Sequence, residues 1–342
     1  MAHNLMKLDD GKSAMFYVKD VPWHKLGTPL SNPPSAQAAI QAAHLDWEVV
    51  KARLFYHTSI ENTAIIPNRY ALTPGAGWPN DEHPTFGIVT EKYEVLQNRS
   101  AFSFFDPLVQ KGFATYETAG ALGKGERVWV LAKLKGDFEV HPGDTVQRYL
   151  LLANTHNGDC AVHVKFTPIR VVCQNTLSMA LEDAKEMFAV RHDGTLTQGL
   201  ARVADEMMDR IQDRYAVIQE SFSKMQATEV SNKQLATYIE GVFPLLEPPE
   251  DDRMTDLWKQ RERVAKWSRA ACSHLYRNAP ACRMAGSTFW AAYNAITEFV
   301  DHCQPVSDRG RAPASQLNRI WFGPGYQIKR RAYELACDSF KN

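Results

Sequence analysis

Cations interleaved with a single indole form the pattern in this sequence best suited to chemistry. Arg127-Val-Trp-Val-Leu-Ala-Lys-Leu-Lys135 has the β-branched and aromatic composition of a strand. Successive strand side chains point to opposite faces, so Arg127, Trp129, Leu131, Lys133 and Lys135 share one side. Val128, Val130, Ala132 and Leu134 share the other. Cys160-Ala-Val-His-Val-Lys-Phe166 repeats the arrangement, with His163, Lys165 and Thr167 opposite Val162, Val164 and Phe166. A sheet of this kind packs helices on its apolar face. Its other face can hold a polyanion whose bases stack on the Trp. The expected phosphate contacts are Lys124, Arg127, Lys133, Lys135, Arg148, Lys165 and Arg170, with Trp129 stacking a base. The same pattern also fits a solvated face with its Trp tucked under the N-terminal segment.

Other chemistries find less support. The chain has no P-loop, no Gly-x-Gly-x-x-Gly after a strand and no His-Glu-x-x-His. Cys272-Ser-His274 and His302-Cys303 lack the spacing of a common zinc module. Asn154-Thr-His-Asn-Gly-Asp159 places His156 and Asp159 near His163, a possible hydrolase centre, but its Asn-Gly equally marks a hairpin turn. Cys173 falls on the apolar side of a predicted helix and reads as a core thiol rather than a nucleophile. No cofactor or metal is expected.

The elements that must position these residues can be traced along the chain. Strand-like runs at 112–122, 127–135, 145–153 and 160–166, punctuated by Gly, Asn and Asp, predict a β-meander. Thr167 as N-cap and Pro168 as first residue predict a helix running to about Leu181, and 187–192 is extended again. Upstream, Ser35–His44 predicts a short helix, Trp47–Tyr56 a strand, and Ala64–Ile66 with Tyr70–Leu72 a hairpin. Phe86–Thr90 is a further strand, and Gln97–Gln110 a helix with an aromatic stripe at Phe102 and Phe105. Downstream, Thr197–Met225 is amphipathic, and Ser231 caps another helix. Helices are predicted at 254–277, 288–300 and 326–337, with arginine clusters beside Trp267 and Trp321 and a turn at 319–325. The fold class is therefore α+β: an antiparallel β-meander packed on helices, followed by a mostly helical C-terminal region. The expected organisation is a core domain at 1–195, long helices at 196–243, an acidic Pro-rich linker at 244–253 and a helical region at 254–342.

With 39 basic and 39 acidic residues the net charge is zero, so nucleic-acid binding would need a local patch rather than a basic protein. No apolar run of about eighteen residues and no signal-peptide pattern is seen, so no membrane partner is expected. Six scattered cysteines without Cys-x-x-Cys suit reduced thiols in a cytoplasm.

Three segments carry a resemblance: Pro22-Trp-His-Lys-Leu-Gly27, Lys92-Tyr-Glu-Val-Leu-Gln-Asn98 and Arg170-Val-Val-Cys-Gln-Asn-Thr-Leu177. Together they resemble the phage- and plasmid-borne family known as domain of unknown function 932, over about residues 10–230. The resemblance implies a mobile-element setting and transfers no catalytic residue. The order β-β-β-β-α with its basic, aromatic face is also similar to the core of phage single-strand annealing proteins. By that fold-level analogy the protein would be a homo-oligomer, a ring or filament, that binds single-stranded DNA in homologous recombination without nucleotide hydrolysis. The rival expectations are a mobile-element nuclease or hydrolase, and a protein-interaction factor that docks host machinery on its helical region.

Overall fold

The computed structural model describes residues 5–19, 22, 25–59, 62–170, 175–176, 187–245, 247–249, 252–304, 316–321 and 323–340. Strands β1 (Met15–Val18) and β2 (Thr28–Leu30) precede helix α1 (Ala36–Ala42). Then come β3 (Val49–His57), β4 (Thr63–Pro74), β5 (Gly87–Thr90), α2 (Asn98–Ser103) and α3 (Asp106–Gln110). The central strands are β6 (Ala114–Leu122), β7 (Arg127–Leu134), β8 (Phe138–His141), β9 (Asp144–Gln147), β10 (Tyr149–Thr155) and β11 (Val162–Phe166). Short strands β12 (Ile169–Arg170), β13 (Asn175–Thr176) and β14 (Met187–Val190) follow. The helices are α4 (Leu196–Ala227), α5 (Asn232–Val242), α6 (Thr255–Asn278), α7 (Pro280–Ala285), α8 (Phe289–Glu298), α9 (Gln316–Trp321) and α10 (Pro324–Asp338). The protein is thus α+β, with largely antiparallel sheets and a helical C-terminal region.

Two compact units share the chain. The first comprises Met1–Lys135, Tyr149–Phe166 and Met187–Ile211; the second comprises Gly136–Arg148, Thr167–Glu186 and Gln212–Asn342. The first unit is built on a seven-stranded sheet of order β14-β11-β10-β7-β6-β1-β2. The meander read from the sequence is its centre, since β6, β7, β10 and β11 are antiparallel neighbours. The single run expected at 145–153 is split: Tyr149–Thr155 forms β10, while Asp144–Gln147 forms β9. Strand β9 pairs with β8 in a hairpin that sequence reading missed and that belongs to the second unit. Helices α1 to α3 supply buried Ala39, Ile40, Phe102 and Leu108 to the first unit's core, and Phe105 between α2 and α3 is buried with them. The Tyr116 hydroxyl on β6 bonds the Phe102 carbonyl at 2.6 Å and the Asp106 carboxylate at 2.8 Å, tying α2 and α3 to the sheet. A second sheet in this unit, of order β3-β4-β5, replaces the expected 64–72 hairpin: residues 63–74 form one strand, whose pairing with β3 is interrupted after Arg53.

The helix expected from Thr167 is not formed where the chain is described. Ile169 and Arg170 pair with Gln147 and Val146 of β9, and with Thr176 and Asn175 of β13, giving a small sheet of order β13-β12-β9-β8. The β-branched content of Ile169-Arg-Val-Val172 and an available sheet edge outweigh a Thr-Pro helix start. Cys173 and Leu181, expected on that helix, lie outside the described residues. In the same unit Phe222, Trp290, Tyr293 and Tyr333 form an aromatic core. The Trp290 indole there donates to the buried Asp144 carboxylate at 2.7 Å. Ser231 caps α5 through a reciprocal pair with Gln234, and the Thr288 hydroxyl accepts from the Ala291 amide to cap α8.

Candidate nucleic-acid interface

Register decides which side chains share a face. In β7 and β10, Arg127 lies opposite Thr155, Trp129 opposite Ala153, Leu131 opposite Leu151 and Lys133 opposite Tyr149. In β10 and β11, Ala153 lies opposite His163 and Leu151 opposite Lys165. Arg127, Trp129, Lys133, His163 and Lys165 therefore do share one face, as the two-residue period predicts. Burial separates them. Arg127, Lys133 and His163 are half-buried, and Lys124 and Lys135, beyond the two ends of β7, are exposed. Lys165 keeps only 3% of its surface and Trp129 only 2%.

Trp129 is thus a core residue and presents no ring face to solvent, which corrects its expected stacking role. Its neighbour across the strand pair is Gly120. A Cβ placed there would approach the Trp129 ring to 3.1 Å, so the missing side chain is what lets the indole lie against β6. The other face of β7 is equally covered, Val128, Val130 and Ala132 being fully buried. The sheet is therefore closed on both sides along most of β7.

Arg148 also departs from its expected role. Only 8% exposed, it places its guanidinium 5.1 Å from the Tyr215 ring centroid and donates to Gln212 at 3.3 Å. Its Nη2 lies in the space a Cβ at Gly136 would take, and the φ of +90° at Gly136 is what calls for glycine at that turn. Burial lowers the Arg148 pKa from its ordinary value. This cation is packed against its own chain rather than turned toward a phosphate. Arg170 pairs through its backbone in β12, and the role expected of its side chain lies outside the described residues.

On the shared face the remaining charges act on one another. Burial first, then Lys165 and Arg127, lower the pKa of His163. Burial penalises any charge on His163, and the two neighbouring cations add to that penalty for a further positive one.

The rival hydrolase group is not assembled. His156 is completely buried, its Nε2 lying 2.9 Å from Asn98 Oδ1. Asn98 in turn donates to the carbonyls of Leu45 and Trp47, which leaves its oxygen as the acceptor and His156 Nε2–H as the donor. Burial, and then the charge of His192, pushes the His156 pKa down to about 3, so this imidazole is neutral. It packs edge-on to Trp47 and against Phe86. Asp159 bonds Asn157 within its own turn. Among the described residues no three His, Cys, Asp or Glu side chains are placed to hold a metal ion.

Sequence reading missed a set of clamps. Gln97 bonds both backbone groups of Val49, and Lys51 reaches the carbonyls of Glu91 and Tyr93 at 2.7 and 3.0 Å. Lys51 also lies 5.0 Å from the Tyr70 ring centroid. The segment Lys92-Tyr-Glu-Val-Leu-Gln-Asn98 thus fastens the root of the β3–β4 hairpin to the first unit. Beyond that root Phe55, Tyr56 and Ile65 are exposed. The adjacent pair Phe55-Tyr56 was the available signal, because neighbours on a strand face opposite ways and cannot both enter one core.

With this arrangement in view, the chain matches the family model described as domain of unknown function (DUF932) over residues 85–321. The match spans most of the sequence, and the chain belongs to that family. It starts downstream of Pro22–Gly27 and runs well past residue 230 into the helical region, further than the three segments alone imply. No curated protein matches the chain, and no solved structure does. No helix among the described residues is long and apolar enough to cross a membrane.

Proposed function

We propose that this protein binds and anneals single-stranded DNA as a homo-oligomer, without nucleotide hydrolysis, in the recombination of a phage or plasmid within a bacterial cytoplasm. The observation carrying the reading is the shared sheet face, with Arg127, Lys133 and His163 half-exposed on it and Lys124 and Lys135 exposed beyond the ends of β7. Because Trp129, Leu131 and Lys165 are enclosed between them, these cations form two end patches, Lys124 with Arg127 and Lys133 with Lys135, and Arg127 lies roughly 26 Å from Lys135 along the strand. In a protein of zero net charge such local patches are what a polyanion would find. The test is anisotropy of a fluorescein-labelled oligo-dT against the parent and the Arg127→Glu/Lys133→Glu variant. The reading expects at least a ten-fold weaker complex for the variant, and unchanged affinity overturns this assignment.

A second reading, docking of a host protein on the helical region, is favoured by one feature. Helix α6 exposes Leu257, Val264 and Trp267 beside a pocket of about 570 Å³. Val242, Phe243, Leu257, Val264 and Ile328 line that pocket together with Arg261 and Arg331. Co-purification of a host protein that is lost in Leu257→Asp, with DNA affinity retained, supports that reading.

A further inference from the structure

With Trp129 in the core, a protein that grips unpaired DNA needs its stacking rings elsewhere. We propose that the outer half of the β3–β4 hairpin is that element, inserting Phe55 and Tyr56 against the bases of single-stranded DNA. The proposal rests on the single-stranded DNA reading above and adds where the bases are held.

Exposure is the first argument. Phe55 keeps 57% of its surface, Tyr56 51% and Ile65, paired directly with Phe55, 48%. Large exposed apolar side chains clustered on one strand pair mark an interaction surface rather than scatter. Because Phe55 and Tyr56 are consecutive in β3, the arm offers an aromatic ring on each side, the arrangement that accepts bases from a flexible strand.

Charge is the second argument, and it selects the occupant. Arg53 and His57 are exposed on the same strand within two residues of the rings, and Arg69 is exposed on β4 next to Tyr70, the residue paired with Arg53. Between Val49 and Pro74 the sequence holds one acidic residue, Glu61. An arm carrying cations and rings repels the same arm of a second copy and complements a phosphodiester chain.

Anchoring is the third. Gln97 holds Val49 at both backbone groups and Lys51 caps the carbonyls of Glu91 and Tyr93, so the root of the arm is fixed while Phe55, Tyr56 and Ile65 beyond it are exposed. A fixed root limits the ordering cost when a ligand is bound.

The experiment uses the full chain and a fluorescein-labelled oligo-dT of about thirty nucleotides, with anisotropy read across a salt series. Phe55→Ala and Tyr56→Ala are expected to weaken binding by roughly five-fold or more each, with the salt slope unchanged, because stacking neutralises no phosphate. Arg53→Ala and Arg69→Ala are expected to reduce the slope by roughly 0.7 each. Thermal melts and sedimentation of the alanine variants should match the parent, since surface substitutions rarely move stability. Tyr56→Trp supplies a direct probe whose fluorescence should be quenched by oligo-dT. If the parent binds oligo-dT and Phe55→Ala/Tyr56→Ala binds as tightly, the hairpin assignment is overturned while the wider reading stands. If that variant loses self-association but keeps its affinity for oligo-dT, the arm joins copies of the chain and the proposal is likewise overturned. A parent that binds no oligo-dT removes both readings.

Discussion

Gln97 grips Val49 at two points: its side-chain amide donates to the Val49 carbonyl at 2.9 Å, and the Val49 amide donates to its oxygen at 2.9 Å. The first turn of α2 and the first residue of β3 are thereby locked together across 48 positions of sequence. Gln97 sits at the N-cap position of α2 but makes no cap bond there, its side chain being spent on the hairpin root.

Removing that grip should loosen the hairpin. Gln97→Ala strands two backbone groups at the buried Val49, at a cost of about 2 kcal/mol. Urea unfolding followed by circular dichroism should show the midpoint fall with the slope unchanged. A variant with the parent's midpoint would show that the clamp contributes nothing.

The Asn98–His156 pair makes stability depend on pH. An unfolded chain protonates His156 below its ordinary value of about 6.5, whereas the folded chain keeps it neutral down to about 3. The unfolded state therefore holds the extra proton in that window, and stability falls as pH drops from about 6.5 toward 3. One such group adds a slope of up to ~1.4 kcal/mol per pH unit. His192, lowered mainly by burial, acts in the same direction. His156→Gln should be less stable than the parent at neutral pH but show a shallower acid dependence. Parallel pH profiles for the two proteins would refute the assignment.

In the second unit, Lys329 Nζ lies 2.8 Å from Asp301 Oδ1 with both side chains essentially without solvent. Lys329 is enclosed against Asp301, whereas its neighbours Arg330 and Arg331 on the same helix are exposed. Asp301→Ala should cost about 3–5 kcal/mol by leaving a buried ammonium without this partner, and Asp301→Leu/Lys329→Met should recover most of that loss. Equal stability for the single and double variants, measured by thermal melting, would argue against a coupled pair.

Trp129 separates packing from binding. Trp129→Ala should destabilise by about 3–5 kcal/mol, as large core truncations do. Trp129→Phe, which refills much of the space beside Gly120, should melt closer to the parent and bind oligo-dT with the parent's affinity. A folded Trp129→Phe variant with a many-fold loss of affinity would return the indole to the interface.

Much of the fold was legible because its signals are local. Alternation along β7 and β11 fixes their faces, Ser35, Ser231 and Thr288 announce helix starts, and the Gly-rich turns delimit the meander. Burial was less legible. A strand with cations on one side looks solvated in sequence, yet Trp129 and Lys165 are enclosed, a consequence of tertiary packing that no two-residue period reports. Local preference also misled at Thr167-Pro168, where pairing of Ile169 and Arg170 with β9 prevailed. The clamps of Gln97, Asn98 and Lys51 join segments about 40 or more positions apart, so the segment from Lys92 to Asn98 could be noticed as a motif but not understood as a fastening.

The most direct measurement is the affinity of the full chain for oligo-dT as a function of salt, for the parent and for Arg127→Glu/Lys133→Glu. The account predicts a straight line of log affinity against log salt, falling with a slope of roughly −0.7 for each phosphate engaged and made shallower by the double substitution. Affinity that ignores salt, or a parent and variant that fall on the same line, would contradict it.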